Sequence, residues 1–338
     1  MFSSDHAVKL RNLILGCAGP RLLRQERQFF SQIQPFGFIL FSRNIDTPNQ
    51  LSDLVADLRA AVGWHAPVFI DQEGGRVQRM APPHWPQLPP PLTHVGHPKS
   101  DRLFWLRGRL LAHDLAQVGI DVNCTPTVDV ACAETHPFLQ NRCYGWDAPT
   151  VTRHDHAIVD GHAAGGVASV IKHMPGHGRA TLDSHLDLPK VSARMADLQD
   201  DFAPFRALNS LSMGMTAHLV YTDIDDTAPA TQSAPMIRLI RDDIGFKGLL
   251  MTDDISMQAL YGDVTHRAQR ACAAGCDVIL HCNGDMGEMQ ALADATDGFE
   301  GQGADRAIHA LNSRPQSTVN LDIDALWAEF NALIAESP

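Results

Sequence analysis

No run of lysine and arginine breaks this 338-residue chain, and no basic stripe with interleaved aromatics appears in it. Its 27 Lys+Arg are outnumbered by 39 Asp+Glu, a formal net charge of −12, which argues against nucleic acid as a partner. That acidity bears on solubility and says little about substrate. The opening stretch, MFSSDHAVKLRNLILGCAG, has only a short apolar run, preceded by Asp5, Lys9 and Arg11. Neither a secretory signal nor a membrane anchor is expected from it. Cys-x-x-Cys is absent too. The seven cysteines (Cys17, Cys124, Cys132, Cys143, Cys272, Cys276 and Cys282) are odd in number, in a chain too large to need a disulfide framework. Reduced thiols and a cytoplasmic location are expected. A zinc site from Cys272, Cys276 and Cys282 is the weaker alternative, because small apolar-like cysteine is common in cores.

What the chain has is regular alternation. Hydrophobic residues make up 44%, ample for a large core. Eight apolar or β-branched runs recur, most ending in polar residues: LILGCAG (13–19), GFILFSRN (37–44), PVFIDQEGG (67–75), GIDVNCTP (119–126), VASVIKHMPG (167–176), MGMTAHLVY (213–221), GLLMTDD (248–254) and CDVILHCN (276–283). Continuous runs of this length suit parallel strands buried on both faces. Between them lie helix-period segments at 47–62, 101–119, 192–210, 264–275 and 285–296, with a closing helix at 321–336. Thr47 is placed to cap the first of these and Gly119 to end the second. Eight strands alternating with helices predict a single (β/α)8 TIM-type barrel over residues 1–338 rather than a doubly wound sheet, and no GxGxxG follows the first strand. The proline cluster PPHWPQLPPP (82–91) is expected to be a rigid loop of that barrel, not a linker between domains.

In such a barrel, chemistry comes from the C-terminal ends of strands. Four ends stand out: Asp71 with Glu73 and Arg76, Lys172 with His173, His218, and Asp253 with Asp254. Successive strand residues face opposite ways, so one of Asp253 and Asp254 should aim into the mouth. The other should cap or bridge near Ser256, where the next helix is expected to begin. A plain capping role for both is the competing reading. In "IKHMPGHGRATLDSH" (171–185), Lys172 and His173 close a strand, and Pro175, Gly176 and Gly178 break regular structure. An Asp two residues before a His, as in Asp183-Ser184-His185, can fix the imidazole tautomer and favour its protonated form. A His so placed can give a proton to a leaving group and later take one from water. His173, His177, Asp183 and His185 could instead ligate a divalent metal. Adjacent Lys172 and the absence of a helical His-x-x-x-His speak against that.

"IDQEGGRVQR" (70–79), "NRCYG" (141–145), "KHMPGHG" with "LDSH" (172–185) and "MTDDISM" (251–257) together resemble glycoside hydrolase family 3. Within it they are most similar to the single-domain bacterial β-N-acetylglucosaminidases of peptidoglycan recycling. The resemblance implies Asp253 as nucleophile in a retaining mechanism, His185 as general acid/base, and Asp183 as its orienting partner on a mobile loop. That modifies the usual two-carboxylate arrangement. It also implies that Asp71, Arg79, Arg142, Lys172 and His173 hold a terminal N-acetylglucosamine, with Glu73, Gly74 and Gly75 shaping the turn. His218 is given no role, and His177 is expected to be structural.

The implied substrate is a small GlcNAc-containing muropeptide, with no cofactor, no metal and, by default, a monomer. A metal-dependent barrel hydrolase, a β-GlcNAc phosphorylase on the same scaffold and a non-catalytic sugar-binding protein are the alternatives. Met174, Thr252 and Gln258 stand where the family more often has Phe, Ser and Glu. None of these changes removes a catalytic group. With one closing helix beyond the barrel, the chain is expected to lack the second α/β domain of many family members.

Overall fold

The structure, a computed structural model, describes residues 9–182, 188–317 and 321–336. Eight strands form the expected ring: β1 (Arg11–Leu15), β2 (Pro35–Leu40), β3 (Val68–Ile70), β4 (Val122–Asn123), β5 (in two pieces, Ala168–Ser169 and Ile171–Met174), β6 (Met213–Thr216), β7 (Leu249–Asp254) and β8 (Val278–His281). Every ladder between neighbouring barrel strands is parallel, in the order β5-β4-β3-β2-β1-β8-β7-β6. The first piece of β5 pairs with β4 and the second with β6. Only Val170 separates the two pieces, and its N–H donates to Asn123 O, so the ring closes through β5.

A helix follows each strand: α1 (Arg24–Ile33), α2 (Pro48–Val62), α3 (Ser100–Gln117), α4 (Ala148–Ala164), α5 (Gln199–Ala207), α6 (Ala234–Asp242), α7 (Val264–Ala274) and α8 (Met286–Ala295). Thr47 caps α2 as its sequence predicts. Its hydroxyl accepts from Gln50 N–H at 3.3 Å, while the Gln50 side chain reaches back to Thr47 N–H. The proline cluster is a loop between β3 and α3, inside the barrel.

Apart from the single turn Pro137–Gln140, four described helices were not expected from the sequence: α1, α4, α6 and α9 (Gly301–Asn312). Their apolar stripes are short or hidden. In α4 the buried face includes His154, Asp155 and His162, which breaks the hydrophobic period. In α9 the buried residues are mostly alanine (Ala304, Ala307 and Ala310), because the helix lies close under the barrel. The last helix, α10 (Ile323–Ala335), packs Leu326, Phe330 and Leu333 on Leu103, Leu106 and Leu110 of α3.

The core has two shells. Outward-facing strand residues such as Leu13, Leu15, Phe38 and Leu40 pack against the surrounding helices. Inside the ring, Ile14, Ile39, Phe69, Val170, Met213 and Met251 fill the barrel. Phe299 and α9 plug its lower end, where Phe299 stacks edge-on with Phe36 and Arg11 bonds Thr296 O. The barrel interior is thereby closed at the strands' N-terminal ends. Among the described residues, no helix is long and apolar enough to cross a membrane.

Candidate active site

A cavity of about 360 Å3 opens at the C-terminal ends of the strands. Asp71 after β3, Lys172 and His173 on β5, and Asp253 and Asp254 ending β7 all line it. So do Arg79 and Arg142, so the structure brings together every predicted site residue except Asp183 and His185. Those two lie outside the described residues. Leu182, the last described residue before them, lines the same cavity.

The floor is a chain of alternating charges. Asp71 accepts from Arg79 Nη2 at 3.1 Å and from Lys172 Nζ at 2.9 Å. Lys172 Nζ also lies 2.6 Å from Glu73 Oε1. Glu73 in turn takes both prongs of Arg142, at 2.9 Å each. Burial alone would raise both carboxyls, but the neighbouring cations outweigh it. Lys172 and Arg79 hold Asp71 far below the usual carboxylate range, and Arg142 with Lys172 holds Glu73 near about 2. Burial works against the charge on Lys172, yet Asp71 and Glu73 keep it ammonium.

Glu73 corrects the sequence reading. It is a fully buried counter-ion for two sugar-ligand candidates, beyond any shaping of the turn. It is held there by a short hairpin, Gln72–Gly74 against Val77–Gln78. Gly74 turns the chain with φ +89°, and a side chain on it would overlap the Arg107 guanidinium. Arg107, buried on α3, donates to Glu73 O at 3.0 and 2.8 Å and to Pro89 O at 2.7 Å. Its Nη1 faces His94 Nε2 at 2.9 Å. Burial and then the Arg107 charge push His94 down to about 3, so a neutral ring accepts that bond.

His173 is oriented by a residue the sequence reading missed. Its Nδ1 donates to Asp129 Oδ2 at 2.8 Å, which leaves Nε2 as the ring's second polar atom. Asp129 Oδ1 also accepts from the backbone N–H groups of His173 and His177, at 3.2 and 2.6 Å. The signal for Asp129 was a lone acid between Val128 and Val130, a context that demands buried partners. His177 lines the cavity, and burial, then the neighbouring His173, push it down to about 4. The Lys172–His173 peptide is cis.

Residues 174–180, where Pro175, Gly176 and Gly178 end the strand, are closely packed. All are buried except Arg179. Gly178 sits where a side chain would overlap Val130 O, and its own carbonyl accepts from Thr135 Oγ1 at 2.5 Å. The glycines allow close packing here. Only Thr181 and Leu182 are exposed before the undescribed segment.

At β7, the Asp254 carboxylate accepts from Ser256 N and Oγ, at 3.1 and 2.7 Å, and from Cys282 N at 3.1 Å. It ties β7 to β8. The turn at Ser256 does not start a helix, since α7 begins only at Val264. His218 Nε2 donates to the Asp254 carbonyl at 2.9 Å. Asp253 Oδ1 accepts from Asp254 N–H at 2.8 Å, and the residue borders the cavity half-buried. Among the described residues, no group of three or more His, Cys, Asp or Glu side chains is arranged to hold a metal ion.

A charge-lined pocket of this size at the top of a (β/α)8 barrel has the position and lining of a barrel enzyme's active site. Residues 8–312 match the glycosyl hydrolase family 3 N-terminal domain, and the chain belongs to that family. A beta-hexosaminidase of Nitrosomonas eutropha is 35% identical over 281 residues, 80% of each chain. One from Tolumonas auensis is 31% identical over 322 residues, 93% of this chain and 94% of its own. Among solved structures, NagZ of Neisseria gonorrhoeae in complex with N-trifluoroacetyl-D-glucosamine superposes with TM-score 0.83 at 31% identity, covering 97% of both chains. The chain is a glycoside hydrolase of the β-N-acetylhexosaminidase type.

Proposed function

We propose that this protein is a retaining exo-β-N-acetylglucosaminidase that removes non-reducing terminal GlcNAc from peptidoglycan fragments, GlcNAc-1,6-anhydroMurNAc with or without its peptide. Asp253 attacks the anomeric carbon while His185, oriented by Asp183, protonates the leaving oxygen. His185 then deprotonates the water that attacks C1 of the glycosyl-enzyme, releasing GlcNAc and Asp253. Asp71, Arg79, Arg142, Lys172 and His173 hold the sugar hydroxyls, whose burial without partners would be costly.

The observation that carries this reading is the place of Asp253, at the end of β7 and at the border of a cavity whose floor is built of paired charges. Asp71 is paired with Lys172 and Arg79, and Asp254 with Ser256 and Cys282 N–H. Among the described residues lining the cavity, the carboxylates are Asp71, Asp253 and Asp254, and Asp253, bordering the cavity from the end of β7, is read as the nucleophile. Leu182 lines the cavity and directly precedes Asp183, which supports Asp183 and His185 as the source of the proton. A volume near 360 Å3, small for a ligand pocket, supports one enclosed sugar ring. A cytoplasmic setting is supported by seven free cysteines, none in a disulfide. The protein acts on a small soluble fragment, as a monomer and through one domain.

A second reading has its own observation. His173 and Asp129 form an Asp–His pair bordering the cavity, the arrangement an acid/base imidazole needs. Two substrates separate the readings: nitrophenyl β-GlcNAc, whose leaving group needs no proton, and the natural-type disaccharide. Asp253→Ala abolishes turnover of both. His185→Ala slows the disaccharide far more than the aryl glycoside, and His173→Ala slows both alike. The reverse pattern for the two histidines would move the acid/base role to His173.

A further inference from the structure

Among the described residues, four cationic side chains line the cavity: Arg76, Arg79, Arg142 and Lys172. Three are neutralised. Arg79 and Lys172 share Asp71, while Arg142 and Lys172 share Glu73. Arg76 differs, since no carboxylate among the described residues lies within ion-pair distance of it. Its guanidinium sits 4.1 Å over the ring of Phe138, which also stacks with Arg142 at 5.3 Å. Stacking holds the planar fork in place by its face and leaves its N–H edge for a ligand.

Phe138 is fixed in turn by a single helical turn, Pro137–Gln140, capped by His136. His136 Nδ1 accepts from Phe138 N–H at 3.2 Å, so the ring's other nitrogen is free to carry the proton. His136 also lines the cavity. Arg76 is exposed whereas Lys172 and Arg142 are buried, so the unneutralised cation stands at the rim, outside the sugar-binding floor. In an exo-acting site, the rim beyond the enclosed ring faces the leaving group.

We propose that Arg76, stacked on Phe138 beside His136, is the receptor for a carboxylate on the leaving-group side of the substrate. The proposal rests on the glycosidase reading above and names the class of aglycone that the site selects. Two N–H groups in a fixed plane match a carboxylate's two oxygens. A compensating carboxylate from the protein would compete with the substrate's, and none is present among the described residues. In an acidic protein this cation also marks where an anionic substrate can approach.

The test compares GlcNAc-1,6-anhydroMurNAc with the methyl ester of its lactyl carboxylate, as a ratio of kcat/KM values at low ionic strength. The wild-type protein should prefer the acid by about tenfold or more, the worth of one charge-assisted bond. Salt should shrink that preference. Arg76→Gln should bring the ratio close to one, and Phe138→Leu should lower it in the same direction, since it removes the stacking platform. Arg76→Lys should give an intermediate ratio, because the charge remains and the fork does not. A ratio unchanged by Arg76→Gln would overturn the proposal while leaving the glycosidase reading intact. Failure of the wild-type protein to cleave either disaccharide or nitrophenyl β-GlcNAc would overturn both.

Discussion

Nζ of Lys172 stands 2.6 Å from Oε1 of Glu73, and both groups are buried. Among the described residues Glu73 is also the one ion-pair partner of Arg142, so one carboxylate neutralises two sugar-ligand candidates. Replacing it with glutamine leaves Arg142 a buried, uncompensated charge. Breaking a buried pair from one side costs about 3–5 kcal/mol. Glu73→Gln should therefore lose roughly that much stability in urea titrations. It should lower kcat/KM by at least about tenfold, because the floor loses its geometry. Wild-type stability with normal turnover would show that the ion chain is ornamental.

The hairpin that presents Glu73 depends on Gly74. At φ +89° an alanine is strained, and its methyl would meet Arg107. The substitution should destabilise the protein by about 1–3 kcal/mol from backbone strain alone, and more if Arg107 has to move. Gly63, also at positive φ but with open space around it, is the control. Gly63→Ala should cost less than Gly74→Ala in the same measurement, and a reversed order would contradict the role given to Arg107.

Three buried histidines set an acid limit. In the unfolded chain an imidazole takes its proton near pH 6.5. In the folded chain burial delays that step to about 3 for His94 and His162 and to about 4 for His177. Between those values the unfolded state binds more protons, so stability is fully present above pH 6.5 and falls as pH drops towards 4. Asp114, pushed up to about 6 by burial, works in the opposite direction, as do Asp155 and Asp201, while burial lowers His154 and His218 in the same direction as the three histidines. Urea midpoints measured from pH 7 to pH 4 should therefore decline, and His162→Gln should flatten the slope whatever it does at neutral pH. A flat wild-type profile would contradict this.

The barrel was legible because eight apolar runs are long and their spacing is regular, and all eight became strands of the ring. The missing helices were hidden for identifiable reasons. The buried face of α4 carries His154, Asp155 and His162, and that of α9 is mostly alanine, so neither gives an apolar stripe. Asp71 and Lys172 were visible because each closes an apolar strand at the barrel mouth, whereas Asp253 was visible only as one of a pair with Asp254 until the family resemblance chose between them. Asp129 and Arg107 were not, because each acts through contacts at least 34 positions away along the chain that no local pattern encodes, apart from the shorter reach from Arg107 to His94 and Pro89. Glu73 lay in a quoted motif, yet its two cationic partners come from other strands and loops, and only folding brings them to it.

The central claim is that Asp253 becomes covalently bonded to the sugar. The direct measurement is to incubate the protein with a 5-fluorinated β-GlcNAc donor, digest it with protease and locate the added mass by tandem mass spectrometry. The account predicts a single label on Asp253 within the peptide spanning residues 248–257, released on long incubation as the intermediate hydrolyses. A label on any other residue, or turnover of the donor with no covalent adduct at any time, would contradict it.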